Sequence, residues 1–318
     1  MWVVIMVPKQ LTPEQQRARF AERGITFPRD TKVRDANKIQ EIGYYKLKEF
    51  AYPFFDSESE TYKNLSFKAL LNRYYQDKNF RIFMLHAIED VEVRLNNAVA
   101  SQLGQKYGAF GYLEFNNWVN REIPKFQVEK NQYFFKSNLL KKIKRSNLPD
   151  LRQRQNLNND GFPTVWTMVD SLTFGDTVHL VEAMAPANLK RLANSFACSP
   201  TELVSWIKCM NFIRNVCVHN SDLIDIRLIT KPLPPSEYRT CILPVQGGYA
   251  NGVAIAVLIL KHLMNHVNSR YKFGNIEDSL KKIIGDDDGI AHMLGFANKA
   301  AISVLIKREY YDTEEVCD

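Results

Sequence analysis

The sequence predicts an all-α protein. Three observations carry this prediction: helix-start signals recur along the chain, apolar residues repeat at helical spacing, and convincing strand patterns are scarce. The chain has 318 residues, of which 45% are hydrophobic, so it can bury a sizeable core. We therefore expect a bundle of helices joined by loops.

The helices are expected where a start signal precedes an apolar stripe. A capping box at Thr12 opens the first helix, and a second helix is expected over residues 30–42. Residues 80–103 place apolar side chains at the spacing of one helix face, which predicts a longer helix. A second capping box at Ser199 begins a helix that reaches about His219.

A proline-rich segment separates two helical parts of the chain. Four prolines and a Gly-Gly pair between residues 229 and 248 predict a long loop. We expect a main helical body over residues 1–228, a loop over 229–248, and a helical extension over 249–318 that packs on the same body. Because no change in composition accompanies the loop, the whole chain can also be one domain.

The excess of positive charge lies in one segment. The formal net charge is +7, and residues 121–154 contain ten Lys or Arg but only three Asp or Glu. That segment alone accounts for the whole surplus, which favours an anionic partner more than a basic composition spread along the chain would. The alternative is a solvated helix face whose aromatic residues point into the core.

Cysteine usage indicates a reducing compartment. The five cysteines are odd in number and include no C-x-x-C pair, which argues against a disulfide framework and against a zinc site. The most apolar segment, 253–264, is interrupted by Lys261 and is shorter than the ~20 residues of a membrane-spanning helix. We expect a cytoplasmic protein with no membrane contact, no metal and no cofactor.

One short segment, near the end of the helix that begins at Ser199, carries residues suited to catalysis. Arg214, Asn215 and His219 interrupt an apolar helix, and Asn215 and His219 share a face because they are four residues apart. A histidine can move a proton near neutral pH, and an arginine fork can hold a phosphate, so the set suits metal-independent cleavage of RNA. By spacing alone, the Arg and the His are more simply explained as residues that cap a helix C-terminus.

A family resemblance favours the catalytic interpretation. Residues 214–219 resemble the R-N-x-x-x-H motif of the HEPN (higher eukaryote and prokaryote nucleotide-binding) superfamily. Three further blocks, over residues 43–54, 81–94 and 163–175, are similar to blocks of the Abi-like family of bacterial abortive-infection proteins, of the AbiD/AbiF type. In order and spacing, the resemblance covers roughly residues 10–297.

The chain departs from the pattern of this family in two places. Asp170 stands where the family commonly has Glu, which keeps a carboxylate. Residues 220–222 are Asn-Ser-Asp, where the family often has a further His or Arg. The second departure affects substrate contacts beyond His219 and leaves the Arg–His pair intact.

The resemblance implies a HEPN-type helical bundle with extra N- and C-terminal helices, and a homodimer that brings two Arg–His motifs together. It further implies an endoribonuclease that acts as a toxin in phage defence. Arg214 would bind the scissile phosphate, His219 would act as general acid or base, and Asn215 would orient the imidazole. RNA is the implied substrate, and a structured small RNA is a partner of some relatives.

Further residues are candidates for supporting roles. Glu89 could direct a carboxylate towards Arg214 or His219, although a surface ion-pair cluster explains it more simply. Three tyrosines of the 43–54 block are expected in the core: Tyr44, Tyr45 and Tyr52. Six basic residues are expected to contact RNA: Lys141, Lys142, Lys144, Arg145, Arg152 and Arg154.

Two other functions compete with RNA cleavage. The protein could be a catalytically weak RNA-binding module regulated by a small RNA, in which the basic segment matters and the Arg–His pair is structural. Transfer of a nucleotidyl or phosphate group would need a nucleotide site, and no glycine-rich loop supports one.

Overall fold

The structure is a computed structural model that describes residues 9–307, and within them it is built almost wholly of helices, which confirms the all-α prediction. The α-helices are α1 (Pro13–Glu22), α2 (Lys32–Ile42), α3 (Tyr44–Ala51), α4 (Phe67–Tyr107), α5 (Lys125–Arg145), α6 (Val165–Met168), α7 (Phe174–Ala183), α8 (Pro186–Asn194), α9 (Pro200–Val218), α10 (Val253–Val267), α11 (Gly274–Ile284) and α12 (Asp288–Leu294). Short 3₁₀ helices lie at Tyr52–Phe54, Gly111–Leu113, Phe115–Asn117, Pro149–Arg152, Arg154–Asn156, Val169–Ser171, Ser236–Cys241 and Lys299–Ile306. Two antiparallel pairs of short strands join β1 (Phe55–Asp56) to β2 (Thr61–Tyr62) and β3 (Pro244–Val245) to β4 (Gly248–Tyr249).

Both predicted capping boxes are present. At the start of α1, the Thr12 hydroxyl accepts a hydrogen bond from the amide of Gln15 at 3.3 Å. At the start of α9, the Ser199 hydroxyl accepts one from the amide of Glu202 at 3.2 Å, and the Glu202 carboxylate accepts from the amide of Ser199 at 2.9 Å. These bonds satisfy amides that the first turn leaves without partners, and they fix where α9 begins.

The helix expected over residues 80–103 is much longer than predicted. It is α4, which has 41 residues and begins more than three turns earlier, at Phe67. The sequence does not predict the first turns of α4, before residue 80, because charged residues interrupt the apolar stripe. Arg73, Asp77 and Arg81 occupy core-facing positions in and directly after these turns. All three side chains are buried.

α4 is the axis around which the other helices pack. α3, α9, α10 and α11 all contact it, and its residues Phe80, Met84, Ile88, Val91 and Leu95 are completely buried. α10 lies against both α4 and α9, and it is buried around its whole circumference over residues 253–264 because its side chains are apolar on nearly every face. No helix within residues 9–307 is both long enough and apolar enough to cross a membrane.

The segment 229–248 is only partly the irregular loop that its prolines predict. A 3₁₀ helix occupies Ser236–Cys241, and the turn between β3 and β4 uses Gly247 at φ 80°. The buried ring of Trp206 donates a hydrogen bond from Nε1 to the Leu233 carbonyl at 2.6 Å, which fastens this segment to α9. The segment therefore lies over α9.

A buried ion pair on α4 holds the chain that follows α9. Arg81 Nε donates to Asp77 Oδ2 at 2.7 Å, and both side chains are at most 5% exposed. The other oxygen of Asp77 accepts from the amides of Leu223 and Ile224, at 2.9 and 3.1 Å. A buried carboxylate is tolerable only when such partners replace its water, and here two amides and a guanidinium do so.

Two further contacts extend this arrangement, and we call Arg73, Asp77 and Arg81 together the α4 clamp. Arg81 Nη1 donates to Asn220 Oδ1 at 3.0 Å. Arg73 forms an ion pair with Asp225 and lies 5.3 Å from the ring of Phe54. The three clamp residues are spaced four apart on one face of α4, so a single stripe fixes residues 220–225 in place.

We expect Asp77→Ala to lower the free energy of unfolding by about 3–5 kcal/mol, because it leaves Arg81 buried without a counter-charge and two amides without an acceptor. The measurement is unfolding in urea. The matched control is Asp278→Ala on α11, which breaks another Asp-to-basic pair four residues apart, Asp278–Lys282, whose side chains are 60% and 54% exposed. That change is expected to cost no more than about 0.5 kcal/mol. Equal losses in the two variants would contradict a structural role for the clamp.

Candidate functional site

α9 ends abruptly, and the chain reverses directly after His219. Asn220 has φ 56°, in the left-handed region that asparagine tolerates better than most residues. Its amide donates to the Cys217 carbonyl at 3.3 Å, and the amide of Ser221 donates to the Val216 carbonyl at 3.1 Å. These two bonds form a Schellman motif with Asn220 at the position usually occupied by glycine. The Asn-Ser-Asp departure from the family pattern therefore has a structural role in ending α9.

The three predicted catalytic residues at the end of α9 differ in how far they are exposed to solvent. Asn215 and His219 are exposed, whereas Arg214 is half-buried. The amide of His219 donates to the Asn215 carbonyl at 3.0 Å. Within the described part of the chain, however, the Asn215 side chain forms no hydrogen bond with the imidazole. In this structure Asn215 therefore does not orient His219 as expected, and the imidazole is free to meet a ligand or another molecule.

The carboxylate on which the charge of Arg214 acts is that of Glu92. Glu89 is exposed, whereas Glu92 is half-buried on α4. Burial raises the pKa of Glu92, and the positive charge of Arg214 and the amide of Phe174 oppose that rise. Glu92 is almost one helical turn beyond Glu89, the residue that the sequence proposed for this role, and the charge of Glu89 adds to the rise of the Glu92 pKa.

The first turn of α7 connects this site to the basic helix α5. Thr173 caps α7 in a capping box with Asp176, and Asp176 forms an ion pair with Lys142 of α5. Burial alone would raise the pKa of Asp176, but Lys142 and the hydroxyl and amide of Thr173 hold it below its ordinary value. Since Phe174 is only two residues from Asp176, the first turn of α7 lies between Glu92 of α4 and the C-terminal end of α5.

The six basic residues expected to contact RNA fall into two groups. Lys142 is half-buried in its ion pair with Asp176, so it serves the packing of α5 against α7 rather than offering a free charge. The others are exposed: Lys141, Lys144, Arg145, Arg152 and Arg154. Three aromatic side chains of α5 are exposed too: Phe126, Tyr133 and Phe134. The outer face of α5 is therefore both basic and aromatic, rather than a basic face with its aromatic residues turned into the core.

A pocket of about 870 Å³ opens next to residues 220–225, and we call it the α3 pocket. Its wall includes Tyr45, Lys48, Glu49, Tyr52, Asp222 and Arg227. The expectation that all three tyrosines lie in the core is correct for Tyr44 and wrong for Tyr45 and Tyr52, which are 80% and 71% exposed. Helical phase could have revealed this, because the buried residues Tyr44, Leu47 and Phe50 mark the inner face of α3.

The pKa of Asp222, which lines this pocket, lies well above the ordinary value for an aspartate. Burial, followed by the charges of Asp225 and Asp77, raises the pKa of Asp222 to about 9. Arg73 pairs with Asp225 and Arg81 pairs with Asp77, so both clamp arginines already serve other carboxylates. Protonated Asp222 can donate a hydrogen bond to Asp225, whose buried Oδ2 has no other partner in the described structure. Asp222 thus keeps its proton at neutral pH.

The remaining nucleophiles and possible metal ligands are inert or scattered. Burial raises the pKa of Cys209 and of Cys217 to about 12, so neither thiol is ionised near neutral pH. No group of three or more His, Cys, Asp or Glu side chains in residues 9–307 is placed to hold a metal ion. His262 is buried beside Glu237, with Nε2 3.1 Å from the Phe196 carbonyl, so it is a packing residue.

The chain belongs to the family of Abi-like proteins, whose family model matches residues 37–225. That range begins within α2 and ends at Asp225, so it contains the end of α9, the α4 clamp and α5. Neither a curated protein nor a solved structure matches the chain. Membership in this family suggests a function in abortive infection.

We expect Asp222→Asn to stabilise the protein more at pH 8.5 than at pH 5. The folded protein keeps a proton on Asp222 that the unfolded chain releases above about pH 4, so the parent loses stability as the pH rises from about 4 to 9. Asparagine cannot ionise, and it retains both an acceptor for the Asp225 amide and a donor for its carboxylate. Urea unfolding at the two pH values measures the difference, with exposed Asp278→Asn as the control. An equal effect at both pH values would show that Asp222 titrates normally.

Proposed function

We propose that this Abi-like protein is a metal-independent RNA endonuclease of the HEPN type, acting in the cytoplasm as a toxin in abortive infection. The observation that carries the proposal is the division of roles at the end of α9. Arg214 is half-buried and its charge acts on Glu92, while His219 is exposed at the terminus. A fixed cation beside an accessible proton carrier is the arrangement that cleavage of a phosphodiester needs.

The reaction uses the 2′-hydroxyl of the RNA as nucleophile. His219 takes the proton from that hydroxyl as its oxygen attacks phosphorus, and the bond to the 5′-oxygen breaks. The products are a 2′,3′-cyclic phosphate and a 5′-hydroxyl, which receives a proton as it leaves. Arg214 binds the non-bridging oxygens and stabilises the charge that develops on them.

Glu92 contributes by positioning Arg214. The charge of Arg214 acts on Glu92, and a guanidinium has five N–H donors in a fixed fork, so Arg214 would have donors for a phosphate. The amide of Phe174 in the first turn of α7 also holds Glu92, so the carboxylate would attract the guanidinium from a fixed position before RNA binds. Glu92 thus replaces Glu89 as the supporting carboxylate of the proposal.

A second copy of the chain completes the acid–base pair. One histidine cannot easily remove the first proton and deliver the second in the same step, so the proposal includes a homodimer that supplies a second His219. The outer surface of α9 beside His219 carries exposed Phe212 and Val218, each 44% accessible. Apolar side chains around an exposed histidine suit a symmetric contact at this end of the helix.

We expect His219→Ala to slow RNA cleavage by about 10²–10⁴-fold in the presence of EDTA, because it removes the proton carrier. Arg214→Ala is expected to slow it similarly, through the loss of charge stabilisation. The measurement is the cleavage of total cellular RNA by purified protein, together with detection of cyclic phosphate ends. The control is His179→Ala on α7, whose side chain is 83% exposed and which is expected to leave the rate unchanged.

Undiminished cleavage by His219→Ala would overturn the mechanism. If the parent protein does not cleave RNA but binds it, and if binding and toxicity survive His219→Ala, the alternative function stands: an RNA-binding module without significant catalysis. The exposed basic face of α5 is the observation that favours this alternative, since it does not depend on His219.

We expect the double change Lys141→Gln with Lys144→Gln to weaken RNA binding and to make it less sensitive to salt. Each phosphate contact that is lost reduces the slope of log affinity against log salt by ~0.7 for a single strand. Fluorescence anisotropy at several salt concentrations measures both quantities, in a His219→Ala background that prevents cleavage. The matched control is Lys281→Gln with Lys282→Gln on α11, which removes the same charge from side chains that are 52% and 54% exposed. If the two double variants lose affinity equally, net charge rather than the α5 surface governs binding.

A further inference from the structure

We infer that the α3 pocket binds a guanine base of the RNA, stacked on Tyr45 and Tyr52 and read by the Glu49 carboxylate. This inference rests on the proposed function, because it names the base that the nuclease selects beside the cleaved bond. The pocket measures about 870 Å³, which is ample for one nucleotide. Nothing in the cleavage mechanism requires it.

The pocket directly continues the end of α9. Asp222 lines it and is three residues beyond His219, so their Cα atoms are at most about 11 Å apart. The amide of Asp222 donates to Glu49 Oε1 at 3.2 Å, which ties this segment to α3. The α4 clamp holds the same segment from the other side. A base in the pocket would therefore belong to a nucleotide close to the phosphodiester that His219 is proposed to cleave.

Two tyrosines give the pocket aromatic surfaces that no other part of the described protein covers. Tyr45 is 80% exposed and Tyr52 is 71% exposed. The Tyr52 ring lies nearly parallel to that of Phe55, at 17° with centroids 6.5 Å apart, which leaves its outer face open. Exposed aromatic rings are the usual means by which proteins stack unpaired bases.

Charge complementarity identifies the base. Each oxygen of the Glu49 carboxylate has one partner: the amide of Asp222 on Oε1, and Lys46 on Oε2 at 2.7 Å. A carboxylate oxygen accepts two hydrogen bonds, so one acceptor position remains on each. Guanine is the base whose Watson–Crick edge offers two adjacent donors, N1–H and N2–H, and these match a carboxylate in a two-bond contact.

The cations of the pocket strengthen this choice. Lys48 and Arg227 line the same pocket, and both can donate to the O6 acceptor of guanine. Adenine would place its amino group against these cations, and it lacks donors at N1 and C2. Uracil would place a carbonyl on each side of its single N–H, and one of the two would face the carboxylate. Cytosine has one donor at its amino group beside acceptors at N3 and O2, so it too cannot give the carboxylate two adjacent donors. The pocket therefore favours guanine over the other three bases.

The test is the binding of short RNA analogues that cannot be cleaved. We would use 2′-O-methyl hexanucleotides of uridine that carry a single central guanosine, adenosine, cytidine or uridine, and measure anisotropy with the full-length protein. We expect the guanosine oligonucleotide to bind at least tenfold more tightly than the others. Glu49→Gln is expected to abolish that preference while leaving an acceptor for the Asp222 amide.

Matched variants separate recognition from folding. The control for Glu49→Gln is Glu41→Gln, because Glu41 pairs with Lys38 three residues away as Glu49 pairs with Lys46. Glu41→Gln is expected to keep the guanosine preference. Tyr45→Ala and Tyr52→Ala should weaken binding of all four oligonucleotides, whereas the phenylalanine variants should not. Thermal unfolding of each variant verifies that the fold is retained.

The outcomes distinguish this inference from the proposed function. Equal binding of the four oligonucleotides, or a guanosine preference that survives Glu49→Gln, overturns the guanine pocket even if His219 proves essential for cleavage. Conversely, a guanosine preference that Glu49→Gln removes supports the pocket even if the protein fails to cleave RNA. Mapping the cut ends gives a second measurement: cuts by the parent should cluster next to guanosine, and those by Glu49→Gln should not.

Discussion

The buried pair of Asp77 and Arg81 is the interaction on which the arrangement of the site depends. An ion pair of this kind costs desolvation free energy, and it is tolerated because both oxygens of Asp77 accept hydrogen bonds, one from a guanidinium and the other from two amides. Its partners are the backbone and Asn220 of the segment after α9. A hydrophobic pair could pack α4 equally well, but it could not specify where residues 220–225 run. The conformation directly after His219 is thus determined from the centre of the bundle.

The position of the pair explains why one helix end can serve two purposes. Arg214 is half-buried, and its charge acts on Glu92, which the first turn of α7 holds. His219 is the last residue before the chain reverses at Asn220, so its imidazole is accessible while its backbone is fixed. A cation that stabilises charge benefits from rigidity and low solvent access, whereas a proton carrier must meet its substrate. The terminus of α9 satisfies both requirements within six residues.

The sequence predicts the helical architecture well and the polar contacts poorly, for one physical reason. Capping boxes and apolar periodicity are local, so both boxes and the helix with the Arg–His motif are correct. Buried charge is decided by partners far along the chain. Arg73 and Asp77 read as interruptions of a helix because their partner segment, 222–225, is more than 140 residues away. The sequence does not distinguish Glu89 from Glu92 as the carboxylate that acts on Arg214, because the rotation of α4 about its axis is set by tertiary packing.

The two ends of the proposed RNA path are held by the same kind of contact. At one end, Lys142 and Asp176 join α5 to the first turn of α7, and this turn also contacts Glu92. At the other, Glu49 and the α4 clamp fix the segment beside the α3 pocket. In each case a charged side chain spans two elements that apolar packing alone would leave free to slide. Lys142, Arg73 and Arg81 are used in this way and are unavailable to RNA, so the proposed binding surface consists of the cations left over: the exposed cations of α5, Arg214, and the cations of the pocket. The fold, rather than the overall charge, therefore determines which basic residues are available to a phosphate.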